Sequence, residues 1–104
     1  MSSPPRFVTF TDRKLQMKFK HASVFGIDGS YTPENAEKFK DAIRAYIADA
    51  TVEQIVGTFR GDPVIHYYHK ERKINAMTEP DGTFISVWGL NSEQIVNLEE
   101  RGSL

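Results

Sequence analysis

The 104-residue chain contains no cysteine, which excludes disulfide staples, thiol catalysis and cysteine-ligated zinc. No run of 18 apolar residues occurs, so no helix is expected to span a membrane. The opening residues Met-Ser-Ser-Pro-Pro-Arg lack an apolar h-region, and no secretory signal peptide is expected. A Walker loop, a zinc-helix histidine–glutamate pattern and a Gly-X-Ser-X-Gly elbow are also missing, as are carboxylates spaced for a two-metal site. Neither a metal nor a cofactor is therefore expected. Net charge is scarce too, at −1, which taken alone argues against a nucleic-acid ligand. What remains is 39% hydrophobic and 26% charged, the make-up of one soluble globular domain with a modest core.

Sorting the charge by position changes its meaning. Residues 1–21 carry Arg6, Arg13, Lys14, Lys18 and Lys20 against Asp12 alone, a local excess of +4. Residues 89–104 carry Glu93, Glu99 and Glu100 against Arg101, or −2. A basic N-terminal segment is either a solvated helix face or a pointer to an anionic ligand.

Residues 1–10 read as a flexible tail or linker remnant, and residues 11–104 as a single domain. Thr11 or Asp12 caps a short helix running to about His21, with Leu15 and Phe19 on one face and Lys14, Lys18 and His21 on another. Phe25-Gly26 ends it, and Asp28-Gly29-Ser30 reads as a loop. A longer helix opens on Thr32 as N-cap, Pro33 in the first turn and Glu34 at the positive end of the dipole. Its apolar stripe is Ala36, Phe39, Ile43, Tyr46 or Ile47, and Ala50. The period then changes to two. Strands are expected over Gln54–Arg60, Val64–His69, Ile74–Thr78 and Thr83–Trp88, with turns at Gly61-Asp62-Pro63, Lys70-Glu71-Arg72 and Pro80-Asp81-Gly82. A last helix starts at Asn91 with Gln94 completing a capping box, Leu90 and Ile95 forming a hydrophobic staple, and Gly102 at the C-cap. The order predicts an α+β fold, with helices on one face of a four-stranded antiparallel meander.

Histidine is the usual tool of metal-free acid–base chemistry. His66 and His69 sit in or at the end of the second strand and read first as ordinary strand residues. His21 stands apart, because it ends the segment Lys18-Phe19-Lys20-His21. Neighbouring cations lower an imidazole pKa, and a neutral histidine in a cationic pocket is a general base beside a phosphate. The plainer reading is a residue at a helix C-terminus meeting the dipole. In Phe84-Ile85-Ser86-Val87-Trp88, alternation puts Ile85 and Val87 toward the core and Ser86 and Trp88 on the opposite, accessible face. Trp88, the single tryptophan, is either a stacking platform for an unpaired base or a cap on a small cluster under the last helix. Ser86 offers a hydrogen bond to a phosphate oxygen. Cations, one histidine, a hydroxyl and an aromatic compose a metal-independent ribonuclease site, because RNA brings its own nucleophile, the 2′-OH. A non-catalytic RNA-binding module and a protein-interaction module of antitoxin type are the rivals.

Lys18-Phe19-Lys20-His21-Ala22, Phe25-Gly26, His66-Tyr67-Tyr68 and Phe84-Ile85-Ser86-Val87-Trp88 together resemble the C-terminal nuclease domain of the colicin D family, from about residue 13 to Leu104. The resemblance implies a tRNA anticodon-loop nuclease toxin of bacteriocins and contact-dependent inhibition systems, with arginine tRNAs as one candidate target. It implies His21 as the principal catalytic residue, Lys18 and Lys20 beside the phosphate, and Ser86 and Trp88 completing the site. The RNA-binding set is then Arg13, Lys14, Lys18, Lys20 and Trp88. It further implies a cognate immunity protein, acidic where it covers the cleft, and a larger carrier polypeptide. That carrier leaves the producing bacterium and brings the domain to the cytoplasm of a target bacterium.

Overall fold

A computed structural model of the chain describes residues 8–104. Its elements, in order, are α1 (Asp12–Lys18), a 3-10 helix (Phe19–Phe25), α2 (Pro33–Ala48), β1 (Glu53–Phe59), β2 (Asp62–His69), β3 (Ile74–Thr78), β4 (Phe84–Gly89) and α3 (Ser92–Arg101). The strands pair antiparallel in the order β1-β2-β3-β4, the expected meander.

The caps act as the sequence indicates. The Thr11 hydroxyl accepts from the Lys14 amide, and the Thr32 hydroxyl accepts from the Asn35 amide. Asn91 and Gln94 form a full capping box, and Gly102 ends α3 at φ 63°. The first helix departs from expectation. It leaves α geometry at Lys18 and tightens into the 3-10 turns, which Gly26 closes at φ 76°. A 3-10 helix eclipses residues three apart. Phe19, Ala22 and Phe25 therefore stack on one line facing the core, where Phe19 and Phe25 pack on Phe39 with centroids 5.6 and 6.4 Å away. Lys18 and His21 share the next line, and Lys20 falls on the third. Helix α2 buries Ala36, Phe39, Ile43, Tyr46 and Ile47, both aromatic and aliphatic options at 46 and 47 facing inward. Ala50 lies past its end and is exposed.

Helices cover both faces of the sheet, not one. Ile65, Tyr67, Ile74, Ala76, Phe84 and Val87 join Leu15, Phe39 and Ile43 in the larger core. There the buried Tyr46 hydroxyl lies 2.8 Å from the carbonyls of Tyr67 and Ile74 and donates into that pair, and burial pushes its pKa up. Tyr68, Leu90, Leu98, Ile55, Ile95, Trp88 and Leu104 form a second cluster on the opposite face, beneath α3. The reason is the period of the sheet: Tyr68 and Trp88 have the opposite parity from Tyr67 and Val87, and their apolar surface needs its own cover.

Two chain ends add to the sheet. Residues 1–7 of the expected tail lie outside the described residues. Residues 8–10 correct that reading: Val8 is 3% exposed, Thr9 exchanges hydrogen bonds with Gly82 and Phe84, and Phe10 packs 5.4 Å from Phe84. At the other end, Gly102–Leu104 run beside β1. Thr58 donates to the Gly102 carbonyl, and the Leu104 amide donates back to Thr58, each at 3.0 Å; the Arg60 amide reaches the Leu104 carbonyl at 2.8 Å. The approach is close enough that a Cβ on Gly57 would overlap the Gly102 carbonyl.

Candidate active site

Strand β4 ends the sheet, and α1 and the 3-10 helix pack beside it. Ile85 is an extra residue in β4, since Thr78 pairs with Phe84 and Met77 with Ser86. Such a bulge re-aims side chains. Phe84 and Val87 both enter the large core, whereas Ile85 and Ser86 both face an open cavity of about 280 Å³. This corrects two expectations. Ile85 is a wall of the cavity rather than a core residue paired with Val87. Ser86, expected on an accessible surface, is only 5% exposed and lies at the cavity's edge of the sheet.

The cavity is lined by Lys18, His21, Phe59, Arg60, Ile85, Ser86, Trp88 and Gln94. Four of the five residues singled out for catalysis thus surround one space. The fifth, Lys20, is exposed on another line of the 3-10 helix, yet its charge still acts on both His21 and Lys18. Of the other basic residues, Lys14 borders an adjoining cavity, and Arg13 is exposed on α1 without lining either space.

Electrostatics follow from this packing. Burial holds the His21 imidazole below its usual pKa, and Lys20 and Lys18 add to the effect. Burial also lowers the Lys18 ammonium, with Lys14, Lys20 and Arg60 pushing the same way. The imidazole is therefore neutral near pH 7, and Lys18 gives up a proton more readily than a free lysine. Trp88 fits the plainer of its two readings and also reaches the cavity. One side packs in the cluster under α3 while the ring borders the cavity. Its indole N–H points at Gln94 Oε1, 3.4 Å away, and Phe59 lies 6.1 Å off at a tilt of 55°. Gln94 is itself anchored by the capping box, so the cap that starts α3 also orients the indole.

Arg60 was not anticipated. The expected turn at Gly61-Asp62-Pro63 sits one residue too late: Phe59 pairs with Asp62, and Arg60 and Gly61 form the turn with φ 52° and 89°. Two positive φ values give the primed hairpin turn, whose first position favours asparagine, aspartate or glycine, so an arginine there is uncommon. The Arg60 guanidinium stacks over Phe59 at 5.0 Å. The signal was the Arg-Gly pair between two period-two runs.

The other histidines are structural. His66 is fully buried. Its Nε2 donates to the Thr58 carbonyl and its Nδ1 accepts from Asn75 Nδ2, both at 3.0 Å, which selects the neutral tautomer. Burial lowers its pKa. The His69 Nδ1 accepts from the Arg72 amide in the β2–β3 turn. Among the described residues, no three His, Cys, Asp or Glu side chains group as metal ligands, and no helix is long and apolar enough to cross a membrane.

Residues 14–98 match the family described as Colicin D. Over 87 residues the chain is 34% identical to colicin-D of Escherichia coli, a match covering 81% of this chain and 12% of that much longer protein. A ribonuclease from Escherichia coli, solved in complex with its inhibitor protein, superposes with a TM-score of 0.74 at 30% identity, covering 86% of this chain and 99% of that one.

Proposed function

The chain belongs to the colicin D family, and from that premise we propose that it is a metal-independent endoribonuclease toxin that cuts the anticodon loop of tRNA. The observation that carries the reading is the single cavity joining Lys18, His21, Arg60, Ser86 and Trp88. Trp88 stacks an unpaired base and holds the strand. Neutral His21 takes the proton from the ribose 2′-OH. The 2′-oxygen attacks the adjacent phosphorus, the bond from phosphorus to the 5′-oxygen breaks, and Lys18 returns a proton to that leaving oxygen. Lys18 and Arg60 bracket the phosphorane, Lys20 adds field from outside, and Ser86 donates to a phosphate oxygen. The products are a 2′,3′-cyclic phosphate and a 5′-hydroxyl. No step calls on a metal or cofactor, and DNA, which lacks the 2′-OH, is not cut.

The family relation also supports a setting. The match spans only 12% of colicin-D, which supports a larger toxin that delivers the domain from the producing bacterium to the target cytoplasm. The related ribonuclease was solved with an inhibitor, and a cognate immunity protein here is expected to cover the cavity with acidic groups. Arginine tRNAs are the first substrates to try.

The test is incubation with total bacterial tRNA in EDTA, followed by sequencing of the ends and end-group analysis. Anticodon-loop cuts bearing cyclic phosphate are expected. Absence of cutting, or cutting only after a divalent ion is restored, overturns the proposal. Replacing His21 by alanine separates a nuclease from a mere RNA-binding module: cleavage is lost while tRNA affinity persists.

A further inference from the structure

A second cavity, of about 440 Å³, adjoins the first. Phe59 and Ile85 belong to the walls of both. The remaining lining is Lys14, Asp62, Pro63, Val64, Glu79 and Pro80. Pro63 and Asp62 begin β2, and Glu79 and Pro80 follow β3. Flat apolar surface thus comes from a phenyl ring and two prolines, with a cation at one side and two exposed carboxylates. Among the described residues, neither carboxylate takes part in an ion pair.

Lys14 and Lys18 are four residues apart on α1, neighbours about 6 Å apart at Cβ. Each lysine serves a different cavity, and their charges interact. That spacing suits successive phosphates of one nucleic-acid strand. The carboxylates repel phosphate, so the space they border is fitted to a base and not to backbone. Carboxylates only accept hydrogen bonds when ionised. They favour a base edge made of donors and penalise one made of carbonyls. Guanine presents N1–H and the 2-amino group side by side, the pattern one carboxylate meets with both oxygens; uracil offers a lone N–H flanked by two carbonyls.

We propose that this second cavity seats the base of the nucleotide adjoining the scissile phosphate and selects guanine through Asp62 and Glu79. Phe59 and the two prolines hold the faces of the base, and Lys14 holds its phosphate. The assignment rests on the nuclease reading for its place beside the scissile bond, but its binding chemistry is testable without cleavage.

The experiment is a nuclear magnetic resonance titration of the isotope-labelled chain with guanosine 5′-monophosphate and, separately, uridine 5′-monophosphate. The guanine nucleotide is expected to shift the amides of Asp62, Val64, Glu79 and Ile85, and to bind about tenfold more tightly than the uracil one, the discrimination typical of a bidentate base contact. In the double variant Asp62→Asn, Glu79→Gln that ratio falls to near one. Equal affinities in the native chain, or shifts confined to Lys18, His21 and Trp88, overturn the proposal whether or not the variant folds. The tRNA digestion is read independently: no cleavage with selective guanine binding sinks the nuclease reading and leaves the base site standing. Cleavage without selectivity does the reverse.

Discussion

On the face beneath α2, the sheet buries Ile65, Tyr67, Ile74, Ala76, Phe84 and Val87 against Phe39 and Ile43, with no ionisable group except tyrosine. On the face beneath α3 it buries His66, Asn75 and Ser86 beside a smaller apolar cluster. The first face is built for area removed from water. The second accepts polar groups that cost free energy unless each finds a partner. His66 finds two, in Thr58 and Asn75, and so ties β2 to the strand whose end carries Phe59 and Arg60. The lesson is a division of labour. One face supplies stability, and the other gives up some of it to fix the wall of the cavity.

That contrast is breakable by mutation. The largest effect expected is on the α2 face: Phe39→Ala removes a fully buried ring and costs about 3–5 kcal/mol in urea unfolding. In contrast, His21→Ala should leave unfolding within about 0.5 kcal/mol while cutting the rate of tRNA cleavage about 10²–10⁴-fold. A comparable loss of stability in the second variant would erase the distinction between the regions.

Smaller effects sharpen the same picture. Arg60→Asn keeps a residue that tolerates the left-handed turn but removes the charge. Folding should persist, and the slope of log affinity for tRNA against log salt should become shallower by about 0.7, the share of one phosphate on a single strand. An unchanged slope would take Arg60 out of the cavity's function.

The two histidines provide the last comparison, through pH. Both have folded-state pKa values below 6.5. For His21 as a base, the acid limb of the cleavage profile is therefore expected below pH 6.5. For His66, the unfolded chain takes up a proton before the folded one does. Its contribution to stability is full above pH 6.5 and is lost as pH falls toward the folded value, at no more than about 1.4 kcal/mol per pH unit. Urea unfolding in the His21→Ala background isolates that slope, and the slope should vanish when His66→Gln is added. A slope that survives the addition would assign the acid sensitivity elsewhere.

Much of this was readable beforehand wherever the cause is local. Thr11, Thr32 and Asn91 cap helices through bonds to amides three residues on, which spacing alone reveals. The basic character of the segment around His21 is likewise local. The 3-10 continuation is not, because Phe19 and Phe25 choose it by their fit on Phe39, twenty and fourteen positions along the chain. The bulge at Ile85 depends on how β4 pairs with β3, and no alternation rule foresees an inserted residue. Alternation put Ser86 on the right face, opposite Val87, but its burial to 5% exposure depends on what packs over that face. Arg60 was passed over because the turn was set one residue late.

By itself, then, the sequence determined the element order, the caps, the meander and the side chains able to do chemistry, since each follows from propensity, period or residue type. Tertiary structure decided which of those side chains meet. It alone separated the sheet's two faces between α2 and α3, turned Ile85 toward the cavity, left Lys20 outside and brought in Arg60. Those outcomes depend on packing between residues distant in the chain, where a one-residue shift in register reverses the face a side chain occupies.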